Sequence, residues 1–262
     1  MDTAVIGKGL IGGSVEKAAL RAGFRAEVFR GRAEVPDLSS FDIVFVALPP
    51  SATVPKIRDV FRSGKLKEGA TVVDIVGVKE SIVRELSLCP GGPGRYFVPG
   101  HPMAGKEKTG YGNSCENLFD GASMILTPYG GTPPQLLERM EKYFSALGFA
   151  RTVKTSPEAH DRLIAYTSQL CHIISSAYVR DPLSARHSGF SAGSFRDMVR
   201  VGAPDPDVWT ELFLANAKAL LPVLDGYLDR LSGMRDAISS GDAAALHAIL
   251  ERGVEAKKDM QA

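Results

Sequence analysis

The run Gly7-Lys8-Gly9-Leu10-Ile11-Gly12 narrows most sharply what this chain can fold into. It follows the apolar stretch Ala4-Val5-Ile6 and opens a helical segment over 14–22. In such a turn the first glycine permits the tight reversal and the second lets backbone approach a pyrophosphate. The third lets the helix pack closely on the strand. Amides at the helix start then hold phosphate without needing a cationic side chain. Gly7, Lys8, Gly9, Leu10, Ile11 and Gly12 are therefore the candidate cofactor-binding residues.

The rhythm beyond the turn agrees with it. Segments 26–29, 43–48, 71–74 and 96–98 read as strands, most of them apolar throughout, as in a parallel sheet covered on both faces. Helical patterns over 53–61 and 79–86 lie between them, and strands at 122–126 and 149–152 flank a helix over 134–147. After residue 153 the pattern becomes helical. Ser156 and Pro157 suit the cap and first turn of a helix running towards Val179. A second helix runs from 207 towards 231, where Pro222 is expected to bend or divide it, and a third covers 242–258. The expected architecture is an α/β Rossmann-like dinucleotide-binding domain, 1–152, followed by an all-helical substrate and dimerisation domain, 153–262. The helical part is too small to bury much apolar surface alone. Its amphipathic segments predict a homodimer through the C-terminal helices.

Composition removes several classes. The 262 residues hold 31 Lys plus Arg against 30 Asp plus Glu, a formal charge of +1, which argues against a basic nucleic-acid platform. No apolar run is long enough to span a bilayer, and the start lacks a signal-peptide pattern, so a cytoplasmic protein without membrane contact is expected. Cys89, Cys115 and Cys171 lack metal-ligand spacing, so free thiols and no metal are expected.

Cofactor choice turns on the end of the second strand. An acid there would accept the adenosine ribose hydroxyls, but Glu27-Val28-Phe29 runs into Arg30-Gly31-Arg32. Arg30 and Arg32 suit a ribose 2′-phosphate, which favours NADP while NAD stays open. His101 follows the strand at 96–98, at the edge where ligands of open α/β sheets meet side chains. A histidine there can take a proton from a substrate hydroxyl while hydride moves to nicotinamide. Ser168 and His172 lie at i and i+4 and share one face of the helix after Pro157.

Several further stretches carry a resemblance. They are Gly7-Lys8-Gly9-Leu10-Ile11-Gly12-Gly13-Ser14, Asp74-Ile75-Val76-Gly77-Val78-Lys79, Gly100-His101-Pro102-Met103-Ala104-Gly105-Lys106-Glu107 and Leu118-Phe119-Asp120-Gly121-Ala122. Glu158-Ala159-His160-Asp161-Arg162, Thr167-Ser168-Gln169-Leu170-Cys171-His172 and Gly193-Ser194-Phe195-Arg196-Asp197-Met198-Val199-Arg200 continue them, with Trp209 and Asn216. In these, over nearly its whole length, the chain resembles the prephenate dehydrogenases, which make 4-hydroxyphenylpyruvate for tyrosine synthesis. The resemblance implies oxidative decarboxylation of prephenate, with arogenate as the alternative substrate. It implies a catalytic role for His101, substrate carboxylate binding by Arg200, and Ser168 and His172 lining the cleft. Many members have a serine where Gly77 stands and Ser-His-Leu-Pro-His where Ser168-Gln169-Leu170-Cys171-His172 stands. His160 and Asp161 are expected either to join the two domains or to touch the cleft. Lys79 is expected near the cofactor or at a solvated helix start, and Trp209 in the core or shielding the pocket. His187 and His247 are expected to play no part. Two rival readings are a silent dinucleotide-binding regulator, disfavoured by His101 and Arg200, and a β-hydroxyacid or imine-reducing dehydrogenase. The latter places a lysine or acid on the interdomain helix, where this chain has Ser168 and His172. The resemblance also leaves no room for a regulatory module beside the two domains.

Overall fold

A computed structural model describes residues 1–86, 94–106 and 108–260; Cys89 and Glu107 lie outside the described residues. Strands β1 (Thr3–Ile6), β2 (Ala26–Phe29), β3 (Ile43–Val46), β4 (Thr71–Asp74) and β5 (Tyr96–Phe97) form a parallel sheet in the order β2-β1-β3-β4-β5. The apolar strands bury both faces. Ala4, Ile6, Val44, Val46 and Val72 pack on α2 (Pro50–Arg62) and α3 (Glu80–Leu86) through Ile57, Val60 and Ile82. Val5, Ile43, Phe45 and Val73 point the other way, onto Val15 and Ala18 of α1 (Leu10–Arg21) and Met140 and Phe144 of α4 (Pro134–Ala146). That two-sided cover is why these strands do not alternate with polar residues. β1 and β3 are neighbours whose onward connections diverge, so their carboxyl ends open a crevice at the switch point.

The later strands depart from the expected pattern. β6 (Gly100–Pro102), β7 (Ser123–Leu126) and β8 (Arg151–Lys154) form a separate sheet, with β6 antiparallel to β7 and β7 parallel to β8. His101 is thus held on a strand, opposite Ile125. Gly100 makes the arrangement possible. A Cβ at that position would lie 3.0 Å from Val73 Cγ1 and 3.1 Å from the Asp74 carbonyl, and would press on the Met124 side chain. A larger residue there would have to displace the Met124 side chain and widen the gap between the two sheets by a few tenths of an ångström.

The helical half runs α5 (Pro157–Ile164), a π-helical turn (Ala165–Gln169), α6 (Leu170–Val179), α7 (Gly193–Val199), α8 (Pro206–Ala215), α9 (Ala217–Ser240) and α10 (Ala243–Asp259). Ser156 Oγ accepts from Ala159 N at 3.2 Å, the cap expected from the sequence. Asp205 and Asp242 cap α8 and α10 in the same way. The expected single helix to Val179 is interrupted by the π turn. The expected break at Pro222 falls instead at Asn216, and Pro222 lies within α9. The buried Asn216 amide donates to the Asp161 carbonyl at 3.0 Å and to Gln169 Oε1 at 2.7 Å. These bonds hold residue 216 outside helical geometry, at φ −107° and ψ 14°, whereas Pro222 removes one donor near the helix start.

Few apolar residues of this half are buried, chiefly Ile164, Ala165, Leu170, Leu220 and Ala237, while Leu214, Leu221, Ile238, Leu250 and Val254 are exposed. Among the described residues no helix is long and apolar enough to cross a membrane. The stable core is that of the sheet. Phe144, 1% exposed, meets Phe45 and Phe149 edge-on. Phe144→Ala is expected to cost about 3–5 kcal/mol in urea unfolding, since the aromatic neighbours cannot close the cavity.

Candidate active site

The glycine turn has the geometry its residue types require. Gly7 has φ +129°, and a Cβ there would run into the Ala47 carbonyl. A Cβ at Gly12 would strike the Gly7 carbonyl and come within 3.1 Å of Val5 Cγ1. A Cβ at Gly9 would meet nothing within 4 Å, which leaves the approach open. Gly9 caps α1 without a side-chain bond, and Leu10, Ile11 and Gly12 line a cavity of about 510 Å³. This cradle fits a dinucleotide pyrophosphate: bare amides, helix dipole and no obstructing side chain. Lys106 and Lys108 line the same cavity and add positive charge. Lys8 is exposed, with its ammonium 4.6 Å from the Tyr111 ring centre. Arg30 and Arg32, both exposed, follow β2 and are not among the described residues lining the cavity.

His101 enters this cavity from β6. Its Nε2 lies 3.6 Å from where a Cβ on Gly77 would stand, an ordinary contact distance, so packing does not demand the glycine. On the other side of the ring, Nδ1 lies 2.9 Å from Nε2 of the buried His160. His160 Nδ1 is 2.7 Å from Asp161 Oδ1. Asp161 also accepts from Lys79 N at 2.7 Å and Glu80 N at 2.8 Å, so it caps α3 from across the chain. Burial pushes the His101 imidazole well below the usual histidine range, reinforced by the neighbouring His160 and Lys79.

One of these residues falls outside both alternatives drawn from sequence. Lys79 is neither on the cofactor surface nor solvated; it is fully buried and paired with Asp74. Burial lowers its affinity for a proton, opposed by Asp74 and Asp161. His160 and Asp161 take the first of their two alternatives: they join the halves, through His101, Lys79 and Glu80, and His160 does not line the cavity. Asp74 was missed. It ends an apolar strand, where a fully buried carboxylate needs a partner, and Lys79 supplies it.

A second cavity of about 620 Å³ adjoins the first and shares Lys106, Ser168, Asp205 and Trp209 with it. Ser168, His172 and Arg200 all line it, so the structure brings the three sequence-derived candidates to one place. His172 Nδ1 lies 3.2 Å from the Val201 carbonyl, and its ring sits 3.6 Å from that of Trp209. Trp209 is therefore a cavity wall rather than core. Gln169 is buried, and its Nε2 donates to the Leu212 carbonyl at 3.2 Å. The π turn carries Ser168 and Gln169, a placement common near functional sites and invisible in the helical spacing. His187 stacks on Phe195 and meets Ser191 Oγ at 2.9 Å, away from both cavities. His247 is exposed, 3.4 Å from Glu251. Cys115 and Cys171 are free thiols.

A dinucleotide cradle facing a strand-borne histidine defines an oxidoreductase of the Rossmann-like class. Comparisons narrow the class. Residues 4–153 match the family described as "Prephenate dehydrogenase, nucleotide-binding domain", and residues 156–252 match "Prephenate dehydrogenase, dimerization domain". The chain is 32% identical over 285 residues to a cyclohexadienyl dehydrogenase of Zymomonas mobilis, covering 97% of this chain and 93% of that protein. It superposes on the crystal structure of Synechocystis arogenate dehydrogenase with a TM-score of 0.80 at 27% identity, covering 100% of both chains. Prephenate dehydrogenase from Aquifex aeolicus, solved with hydroxyphenyl propionate and NAD+, matches with a TM-score of 0.80 at 26% identity, over 99% of this chain and 98% of that one. The chain belongs to the prephenate dehydrogenase family.

The His101 environment has a measurable consequence for stability. The fold favours neutral imidazole, whereas the unfolded chain takes up a proton below about pH 6.5, so the unfolded state binds more protons in acid. Stability is therefore full above that pH and falls as pH drops through it, by at most about 1.4 kcal/mol per unit from this group. Urea midpoints from about pH 8 to about pH 5 should show this fall, and His101→Asn should flatten it. An unchanged slope in the variant would overturn the assignment.

Proposed function

We propose that the chain oxidatively decarboxylates prephenate to 4-hydroxyphenylpyruvate, in the pathway to tyrosine, with NAD or NADP as oxidant. The supporting observation is the continuity of two cavities, one with the glycine cradle and His101, the other with Arg200, His172 and Ser168. Bound oxidised nicotinamide supplies the hydride acceptor. His101 Nε2 holds the proton of the ring 4-hydroxyl as hydride leaves C4, so a ketone forms there. The resulting dienone draws the electrons of the departing ring carboxylate, CO2 is lost, and the ring oxygen recovers its proton as the ring aromatises. Arg200 binds a substrate carboxylate through its planar fork, with Ser168 and His172 beside the substrate. Trp209, Ile11, Leu48 and Leu212 give the walls an apolar share. In this reading the cofactor unit is 1–152 and the helical substrate and dimerisation unit is 153–262.

Arg30 and Arg32 favour NADP, because no acid stands at the end of β2 to take the ribose hydroxyls. The exposed apolar residues of the helical half, with its match to a dimerization domain, support a homodimer. Arogenate is the second substrate reading, supported by the similarity to the Synechocystis enzyme.

One set of assays tests these points: prephenate and arogenate, each with NAD and NADP, following reduced nicotinamide. Turnover with prephenate is expected; none with either substrate would reject the function. His101→Ala should lower kcat by about 10²–10⁴-fold while cofactor Kd stays within about twofold. Arg200→Ala should raise KM by about 10–100-fold, the worth of a charge-assisted contact. Arg30→Ala and Arg32→Ala should weaken NADP more than NAD, and equal losses would reject the phosphate contact. Sedimentation at micromolar concentration should give a dimer.

A further inference from the structure

Proton transfer to His101 Nε2 requires that nitrogen to carry a lone pair, so the proton of the neutral ring must sit on Nδ1. A free imidazole places it on either. The buried neighbours make the choice, and they can be followed atom by atom.

The Asp161 carboxylate only accepts. Its Oδ1 faces Lys79 N and His160 Nδ1, and its Oδ2 faces Glu80 N. His160 Nδ1 must therefore carry hydrogen, which leaves Nε2 of a neutral His160 as an acceptor. That acceptor lies 2.9 Å from His101 Nδ1, where two lone pairs would repel, so the His101 proton occupies Nδ1. His160 is 1% exposed and Asp161 is 1% exposed, so water does not offer an alternative partner. The buried Lys79, paired to Asp74, disfavours added charge on His101, so that ring holds a single proton.

We propose that His160, held by Asp161 at the start of α3, is the positioning residue that fixes the tautomer of His101 and leaves its Nε2 lone pair facing the reaction cavity. The inference rests on the base role given to His101 above. It extends that role by making it depend on a contact between the helical and sheet halves. A fault in the docking of α5 against α3 would reach the chemistry through this single nitrogen.

Two variants separate this from a merely structural role. His160→Asn keeps an amide N–H for Asp161 and loses the acceptor facing His101. His160→Gln places an acceptor oxygen at the Nε2 position and loses the bond to Asp161. Tautomer control predicts that Asn lowers kcat by about 10²–10⁴-fold with KM and cofactor Kd within about threefold, while Gln stays within about tenfold of wild type. A structural role predicts the reverse ranking, because Gln gives up the bond that anchors the two halves. Nitrogen NMR of histidine-labelled protein reads the tautomer without any substrate: wild type should show His101 protonated at Nδ1, and the Asn variant a mixture. His101 protonated at Nε2 in wild type, or wild-type kcat in His160→Asn, would overturn the proposal. Should neither variant fold, the wild-type spectrum alone decides. Failure of turnover with both substrates would overturn the base role but not the tautomer assignment, so the two are distinguishable.

Discussion

The Asp161 carboxylate is the point through which the two halves of this chain depend on one another. One side chain from α5 caps α3 through Lys79 N and Glu80 N and also bonds His160. Its backbone carbonyl meanwhile takes the amide of Asn216, which sets the break between α8 and α9. Removing that carboxylate would leave two helix-start amides and a histidine N–H buried without partners. Each such group is costly in a site closed to water. The same bonds that hold the halves together therefore hold the strand that carries His101, the π turn and the helix that carries Trp209.

Much of the fold is legible in sequence because the sheet obeys one rule. Strands covered on both faces read as unbroken apolar runs, and Ala4-Val5-Ile6 and Ile43-Val44-Phe45-Val46 divide between two cores just as that rule requires. The glycine turn is equally readable, since Gly7 and Gly12 leave room for Ala47, Val5 and the turn's own backbone while Gly9 leaves the approach open. What was not legible depends on long-range contact. The separate sheet of β6, β7 and β8 hinges on Gly100 passing Val73 and Met124. The helix break at Asn216 follows from partners 55 and 47 positions away, so the local proline signal at 222 pointed to the wrong place.

For the candidate site the division is similar. His101, Ser168, His172 and Arg200 carry chemistry in their residue types and were readable as candidates, and they line two adjoining cavities. Lys79 and Asp74 were not readable as a pair, because a charged residue at a helix start is most often solvated. Only the tertiary fold makes Lys79 fully buried and obliges it to keep a carboxylate beside it. Gln169 is a departure from the family pattern. In the structure its amide bridges Leu212 and Asn216, so its work is to hold the π turn against α8 and α9.

These placements also bear on how a chain of net charge +1 meets the anionic substrate and cofactor of the proposed reaction. Local charge decides, and it is arranged by depth. Lys106, Lys108 and Arg200 stand at cavity walls, where they can meet carboxylate or phosphate. Lys79 lies deeper, already neutralised by Asp74, so it holds the sheet end together instead of drawing substrate inward. His101 sits between these two layers. Burial resists its protonation, and His160 and Lys79 beside it resist it further, so the imidazole stays neutral. A basic protein overall would gain little from added surface charge, because screening over about 8–10 Å removes most of it in physiological salt. The proposed reaction calls for a neutral nitrogen beside fixed cations, and the buried groups from Asp74 to Lys79 and from Asp161 to His160 are arranged to meet that demand.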